Sequence, residues 1–272
     1  MPAARILFWA ATCGALALFV RSFWLGPVPL PVAMAATLGY LALVFSGYIF
    51  PRWGMFADVI DEALPGRNLV ALTFDDGPDP SSTPIVLEAL RLADAKATFF
   101  VIGRKARAQP DLIHAILADG HELGLHGYSH SRLTAFRSAE WMKKDLARGL
   151  EVLKSFTGES THWFRPPIGH VTPRLAKVAK ELNLTLLCWT IRGLDGLPSA
   201  DTTKIVRRVT TQLRDGAIVA LHDAIEKQSG VSAGAKALPA ILESMKKQGL
   251  RSVTVTELLE GTPLLPDRAK TV

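Results

Sequence analysis

The sequence predicts an α/β domain, a parallel sheet closed toward a barrel, preceded by an N-terminal pair of apolar helices. Three observations carry this reading. Two uncharged runs, 6–20 and 22–51, fill the N-terminal region. From residue 69 onward, apolar runs of strand length alternate with helical segments, the pattern of a buried parallel sheet. The polar residues with catalytic potential fall at the ends of those runs, where parallel α/β folds build their sites.

Composition narrows the field. The chain has 272 residues, 49% of them hydrophobic, and this excludes global disorder. Two cysteines, Cys13 and Cys188, exclude a disulfide framework, and both sit in apolar surroundings that suit core or lipid. A net charge of +6 with no dense basic cluster argues against nucleic acid as a partner.

A bilayer-spanning helix needs about 20 mostly apolar residues. The second run meets this even if Pro29 and Pro31 confine the helix to Val32–Phe50. The first reaches it if Arg21 snorkels and the helix continues to Leu25. Gly26-Pro27-Val28-Pro29 is the turn of a hairpin. A secretory signal would share the first run, but no small-x-small cleavage site precedes the second. A buried helix pair is the other alternative. Arg5 and Arg52 flank the open end and Arg21 the turn, so charge leaves the orientation undetermined. The expected partner is the membrane, with the remainder of the chain on the side of the N-terminus.

Met55–Leu64 is a short amphipathic stretch ending at the Pro65-Gly66 turn. Leu69–Phe74 reads as a strand, and Pro84 opens a helix to Asp94. Ala97–Gly103 is the second strand, with a helix over 104–119 closed by Gly120. His121–His126 is the third, followed by a long amphipathic helix from Ser138 to Phe156. Trp163–Arg165 is the fourth, with a helix near Pro173–Leu182. Leu184–Trp189 is the fifth, with Asp201 capping a helix to Leu213. Ala217–Leu221, a helix over Ala235–Gln248 and Arg251–Thr256 complete seven strand-like runs. An open doubly wound sheet is the alternative arrangement.

Asp75 and Asp76 follow the first strand, His126 and His130 the third, Arg165 the fourth, Asp195 the fifth, and His222 with Asp223 the sixth. Two imidazoles and one carboxylate make three metal ligands and leave open positions for water and substrate. Neighbouring strand residues point to opposite faces, so the turn after the strand must swing both aspartates into one cleft. One carboxylate can then hold a metal while the other takes a proton, with Arg165 keeping the second ionised. His222 would face the leaving group as general acid.

Four segments, Thr73-Phe74-Asp75-Asp76-Gly77-Pro78, His126-Gly-Tyr-Ser-His130, Arg165-Pro-Pro-Ile-Gly169 and Leu221-His222-Asp223, resemble motifs of the polysaccharide deacetylase family, the NodB-homology domain of carbohydrate esterase family 4. The resemblance covers residues 69–258. It implies a distorted (β/α)7 barrel and a divalent metal, most often zinc with cobalt or nickel as substitutes, held by Asp76, His126 and His130. It implies Asp75 as base, His222 as acid, and Ile168, Gly169 and Leu221 against the substrate and its oxyanion. The expected reaction is hydrolytic removal of N-acetyl groups from an amino-sugar glycan such as peptidoglycan or a chitin-like polymer. Alternatives are deacetylation or deformylation of a lipid-linked sugar, and a glycan-binding pseudoenzyme.

Two departures bear on specificity. Ile168 stands where the family often has Tyr, although the role implied there belongs to the backbone N–H. Gly193-Leu194-Asp195-Gly196 replaces the usual Asp-Trp. Asp195 can still pair with His222 or Arg165, and Trp189 is the candidate to fill the wall the missing Trp leaves open. His170, directly after Gly169, is a candidate substrate contact. His121, His114 and His162 read as structural or surface residues, and Phe99-Phe100 as core. The expected organisation is a membrane hairpin over 1–52, a linker over 53–68, a catalytic domain over 69–260 and a tail over 261–272.

Overall fold

The computed structural model describes residues 1–196, 200–224 and 230–262; the expected tail lies outside the described residues from 263 on. Helices α1 (Ala3–Leu25) and α2 (Leu30–Ile49) are long and apolar enough to cross a membrane, and the rest of the chain leaves them almost uncovered. Gly26, at φ 80°, ends α1, and Pro31 sits in the first turn of α2, where its missing N–H costs nothing. The two helices meet through the Phe8 and Tyr40 rings and a 3.1 Å hydrogen bond between the Thr12 and Tyr40 hydroxyls.

The remainder alternates strand and helix. In chain order these are β1 (Leu69–Asp75), α3 (Thr83–Leu92), β2 (Ala97–Val101), α4 (Gly103–Ala108), α5 (Pro110–Ala118), β3 (Glu122–Leu125), α6 (Ala139–Thr157), β4 (Trp163–Phe164), α7 (Pro173–Glu181), β5 (Thr185–Leu186), β6 (Ile191–Arg192), α8 (Thr202–Thr210), β7 (Ile218–His222), α9 (Ala233–Lys247), β8 (Arg251–Ser252) and α10 (Val255–Leu259). The strands pair in parallel in the order β5-β4-β3-β2-β1-β7-β6, with β8 beside the start of β1. This curled parallel sheet with helices outside is the expected barrel-like α/β fold.

The period-2 rule sorts its two faces. Val70, Leu72 and Phe74 of β1, Phe99 and Val101 of β2, and Val219 and Leu221 of β7 pack outward under the helices. Leu69, Ala71, Phe100, Trp163 and Ile218 point inward and form a second core with Val255, Leu258 and Leu259. That inner core fills the lower end of the curl. Following the inward parity upward along β1 leads from Leu69 and Ala71 to Thr73 and then Asp75.

Three elements differ from expectation. The helix expected over 104–119 is two, broken at Pro110, which removes an N–H. The last strand is only Arg251–Ser252, because Thr254 caps α10 by accepting from the Glu257 N–H. The run Leu184–Trp189 yields only β5, and pairing with β7 resumes at β6. The reason lies in residues 60–63. Ile60 N–H donates to Leu186 O at 2.9 Å, Cys188 N–H to Ile60 O at 2.7 Å, and Ala63 N–H to Gly216 O at 2.9 Å. A segment from before the barrel thus bridges the seam that β5 leaves open, and Ile60 is buried in the inner core.

Candidate active site

The inward parity delivers the polar set. Asp75 ends β1, His126 follows β3, Arg165 follows β4 and His222 ends β7, each on the inner face of its strand. Asp76 has the wrong parity. Its backbone turns left-handed, φ 74°, a conformation Asp tolerates better than most residues, and this swings its carboxylate into the same cleft. The cleft measures about 370 Å³ and is lined by both aspartates, His126, His130 and His222.

Arg165 is fully buried beneath the cleft. Its Nη1 donates to Asp75 Oδ1 and to Thr73 Oγ1, both at 2.7 Å, and its Nη2 donates to Cys188 O at 3.0 Å. The guanidinium lies 4.2 Å over the Phe100 ring. A buried ion pair of this kind tolerates no single deletion, since the orphaned charge costs about 3–5 kcal/mol. The fork therefore fixes the Asp75 carboxylate in position. Burial beside this network pushes the Cys188 thiol up to about 12, so it is inert.

The Arg165 main chain does a second job. Its carbonyl lies 2.7 Å from His126 Nδ1. A carbonyl only accepts, so Nδ1 carries a proton, and in the neutral tautomer that this selects, Nε2 turns its lone pair into the cleft. That nitrogen sits 3.4 Å from Asp76 Oδ1, and His130 Nε2 sits 2.9 Å from the same oxygen. A lone pair facing a carboxylate oxygen repels unless a positive charge lies between them. The three ligand atoms lie within 4.8 Å of one another. The donor set and its orientation fit a divalent cation of nitrogen and oxygen preference, which these three residues could hold. Burial works against the Asp76 charge, but the two imidazoles in their protonated form donate to it and hold the carboxyl well below the usual carboxylate range, a part that a cation between neutral rings would take over.

The opposite wall carries His222. Asp195 takes the His222 backbone N–H on Oδ2 at 2.7 Å and faces Nδ1 with Oδ1 at 3.0 Å. Burial lowers the His222 pKa, but the Asp195 charge and hydrogen bond, aided by Asp75 and Asp76, raise it to about 9. Nε2 is the nitrogen left for the cleft. A Cβ at Gly196 would stand 3.1 Å from it, so the glycine keeps that face of the ring open. A Cβ at Gly234, in the first turn of α9, would overlap Asp195 Oδ2. The helix N-terminus can thus approach the carboxylate and favour its charge.

The other expected site residues divide. Ile168, Gly169 and Trp189 line the cleft. Ile168 holds φ 62° inside the turn Pro167–Gly169, a strained conformation for a β-branched residue, costing about 1–3 kcal/mol. Gly169 lies against Trp189, whose ring would meet any Cβ there. Leu221, expected at the substrate, is instead fully buried in the outer core, and its neighbour Ala220 lines the cleft. Neighbours on β7 face opposite sides, and His222 claims the inner one. His170 is also not on the cleft. Its Nδ1 hydrogen-bonds the Tyr48 hydroxyl of α2 at 2.6 Å and the two rings stack.

Sequence reasoning missed one support, Asp145, and gave another, Asp223, no role. Asp145 on α6 accepts the backbone N–H groups of Tyr128 and Ser129 at 3.0 and 3.1 Å, clamping the loop that carries both imidazoles. Asp223 accepts from Thr83 Oγ1 at 2.6 Å and lies against Gly77, where a Cβ would overlap its carboxylate. Asp145 carries no local signal, since it reads as one charge among many on an amphipathic helix, whereas Asp223 stands in a motif.

The comparisons with known proteins agree with this geometry. The family described as polysaccharide deacetylase matches residues 63–187. A peptidoglycan-N-acetylglucosamine deacetylase of Bacillus cereus is 38% identical over 71% of this chain and 89% of its own length. The structure of the peptidoglycan deacetylase PdaC from Bacillus subtilis matches 70% of this chain and 89% of that one, at 29% identity and a TM-score of 0.63. A structure from Bacillus anthracis described as a CE4 family pseudoenzyme covers 74% of this chain and 68% of its own, at 26% identity and a TM-score of 0.66. Fold, motif geometry and relatives converge, and the chain belongs to the polysaccharide deacetylase family, carbohydrate esterase family 4.

Proposed function

We propose that this chain is a membrane-anchored, metal-dependent deacetylase that hydrolyses N-acetyl groups on an amino-sugar glycan. The observation that supports it most is the pairing across one cleft. Asp75, fixed by Arg165, and His222, held charged by Asp195, stand on either side of Asp76, His126 and His130. A carbohydrate-binding module or pseudoenzyme has no use for a fixed carboxylate facing a charged acid.

Asp76, His126 and His130 would hold the divalent ion, zinc being the best match, with cobalt and nickel as substitutes. Such an ion, when bound, supplies Lewis acidity and acidifies water. The protein's own groups move two protons. Asp75 Oδ1 is engaged by Arg165, so Oδ2 takes the proton from the attacking water. His222 Nδ1 is engaged by Asp195, so Nε2 gives a proton to the departing amine. The Ile168 N–H, presented by its left-handed backbone, donates to the developing oxyanion. Trp189 and Gly169 wall the acetyl side of the cleft.

Acetate release from N-acetylglucosamine oligomers and from peptidoglycan tests the reading. Activity should vanish with a chelator and return with Zn²⁺, Co²⁺ or Ni²⁺. A metal-loaded protein that releases no acetate from either substrate or from a lipid-linked amino sugar would be placed with the pseudoenzymes. The anchor is tested by extraction. The full chain should leave membranes only with detergent and keep its N-terminus, and a mature N-terminus after residue 20 would replace the hairpin with a cleaved signal.

A further inference from the structure

A second cavity, of about 430 Å³, lies where the end of α2 meets the rim of the barrel. On the hairpin side it is lined by Ile49 and Phe50, and Arg52, Arg192 and Arg208 converge on it. Among the described residues, none that line it is acidic. Arg208 is anchored by donating to Gly193 O at 2.7 Å, and Arg192 stacks 5.2 Å over Trp189. Arg52 is exposed in the turn Pro51–Trp53 that closes α2. Three arginine side chains on one cavity, with no acidic residue among its described lining, give it a positive character that suits an anion.

The cavity is continuous with the chemistry. Trp189, Arg192 and Leu194 line both it and the catalytic cleft. The hairpin is pinned there by Tyr48, which hydrogen-bonds His170 and packs 5.1 Å from Phe136. Phe50 and Trp53 stack at 4.7 Å beside Arg52. Aromatic and basic residues at the end of an apolar helix mark the level of lipid headgroups.

We propose that this cavity binds the phosphate of a lipid-linked amino sugar, the substrate class on which the deacetylase acts. The inference rests on the membrane-anchored deacetylase reading above. The lipid chain runs beside α2 past Ile49 and Phe50. The phosphate is gripped by Arg52, Arg192 and Arg208, whose planar forks match its oxygens. The sugar then extends past Trp189 into the cleft between Asp75 and His222. A glycan polymer that carries no phosphate would leave the arginines unused.

The test uses the full chain in phosphatidylcholine nanodiscs. Binding of undecaprenyl phosphate is measured by native mass spectrometry against phosphatidylglycerol, inorganic phosphate and undecaprenol. Undecaprenyl phosphate should bind best, Arg52→Ala should weaken it about tenfold and Arg52→Lys should recover most of the loss. Acetate release from N-acetylglucosaminyl diphosphoryl undecaprenol should fall in Arg52→Ala by a larger factor than release from a soluble chitin oligomer. Unchanged binding in Arg52→Ala overturns the site. Phosphatidylglycerol binding as well as undecaprenyl phosphate would make it a headgroup site of the bilayer and overturn the substrate assignment. Arginine-dependent binding of undecaprenyl phosphate with no acetate released from any substrate would sink the deacetylase reading, and with it the substrate assignment, while leaving the phosphate site standing.

Discussion

His126 and His222 face each other across the cleft, and each is oriented through Nδ1, but by opposite partners. Behind His126 is a neutral carbonyl, Arg165 O at 2.7 Å. Behind His222 is a carboxylate, Asp195 at 3.0 Å. The carbonyl fixes a tautomer and leaves Nε2 with a lone pair, which suits a ligand. The carboxylate favours the charged ring and leaves Nε2 with a proton, which suits an acid. One side-chain type thus does two kinds of chemistry, divided by the group behind it. The two aspartates divide likewise: Asp75 faces a guanidinium, which suits a base, while Asp76 faces two imidazoles, which suits a ligand.

The largest effects come from breaking each wall's own function. Asp76→Ala should lose both bound metal and turnover, measured by metal analysis and acetate release. Asp75→Asn should keep its metal and lose about 10²–10⁴-fold in turnover, the usual scale of a general base. If Asp75→Asn lost the metal and Asp76→Ala kept activity, the two roles would be exchanged.

The division between the walls is sharpened by Asp195→Asn, which turns the partner of His222 from a charge into a neutral group. With the carboxylate present, His222 keeps its proton up to about pH 9. A cation held by Asp76 offsets part of that rise, so the alkaline limb of the rate profile should lie between 6.5 and about 9. In Asp195→Asn the imidazole loses its proton at lower pH, and the limb should shift toward 6.5. Turnover should fall about a hundredfold at neutral pH, within the range of acid–base contributions, with metal content unchanged. A limb that stays in place would mean that another group sets it.

The ligand wall has its own support, and Asp145→Ala addresses it. Removing the carboxylate frees two backbone N–H groups of the loop between His126 and His130. Outer partners of metal ligands are typically worth about 10–100-fold in affinity. Metal affinity should fall about tenfold by competition with a chelator, while the pH position of the His222 limb stays fixed. Movement of that limb would show the walls to be coupled.

How much of this was legible depends on what kind of signal each residue leaves. Apolar runs marked where strands lie, and motif residues at their ends marked the cleft. The phase of an all-apolar run is not written in it, because both faces are buried, and so Leu221 could be mistaken for Ala220. Sequence adjacency misplaced His170, which turns toward Tyr48 from another element. Backbone strain leaves no trace in the sequence. Of the described non-glycine residues with positive φ, those that are neither Asn nor Asp are His130, Ile168 and Leu194, and all three line the cleft. The strain is concentrated where ligands and donors must point against their local preference. The break after β5 was equally hidden, since its cause, Ile60, comes from a stretch read as linker.

The smallest expected effect tests the backing of the ligand wall without touching its chemistry. Asp223 is fully buried behind the turn that follows β1, against Gly77 and Thr83. Burial pushes its carboxyl up to about 7, with Asp76 adding to the rise and Thr83 and Lys105 opposing it. A folded-state pKa above the unfolded value means that the native state holds this proton longer. Its contribution to stability is therefore full below about 3.8 and is lost as pH rises through about 7. Asn keeps the acceptor for Thr83 and never ionises. Relative to the parent, Asp223→Asn should gain stability as pH rises from 4 to 7, at most about 1.4 kcal/mol per pH unit, and the gain should level off above pH 7. The melting temperatures of the two proteins across that range measure it, and activity at neutral pH should change less than in any variant above. A melting difference that does not vary with pH would mean that Asp223 is ionised throughout, and that the turn behind Asp76 is held by a charge rather than by a neutral acid.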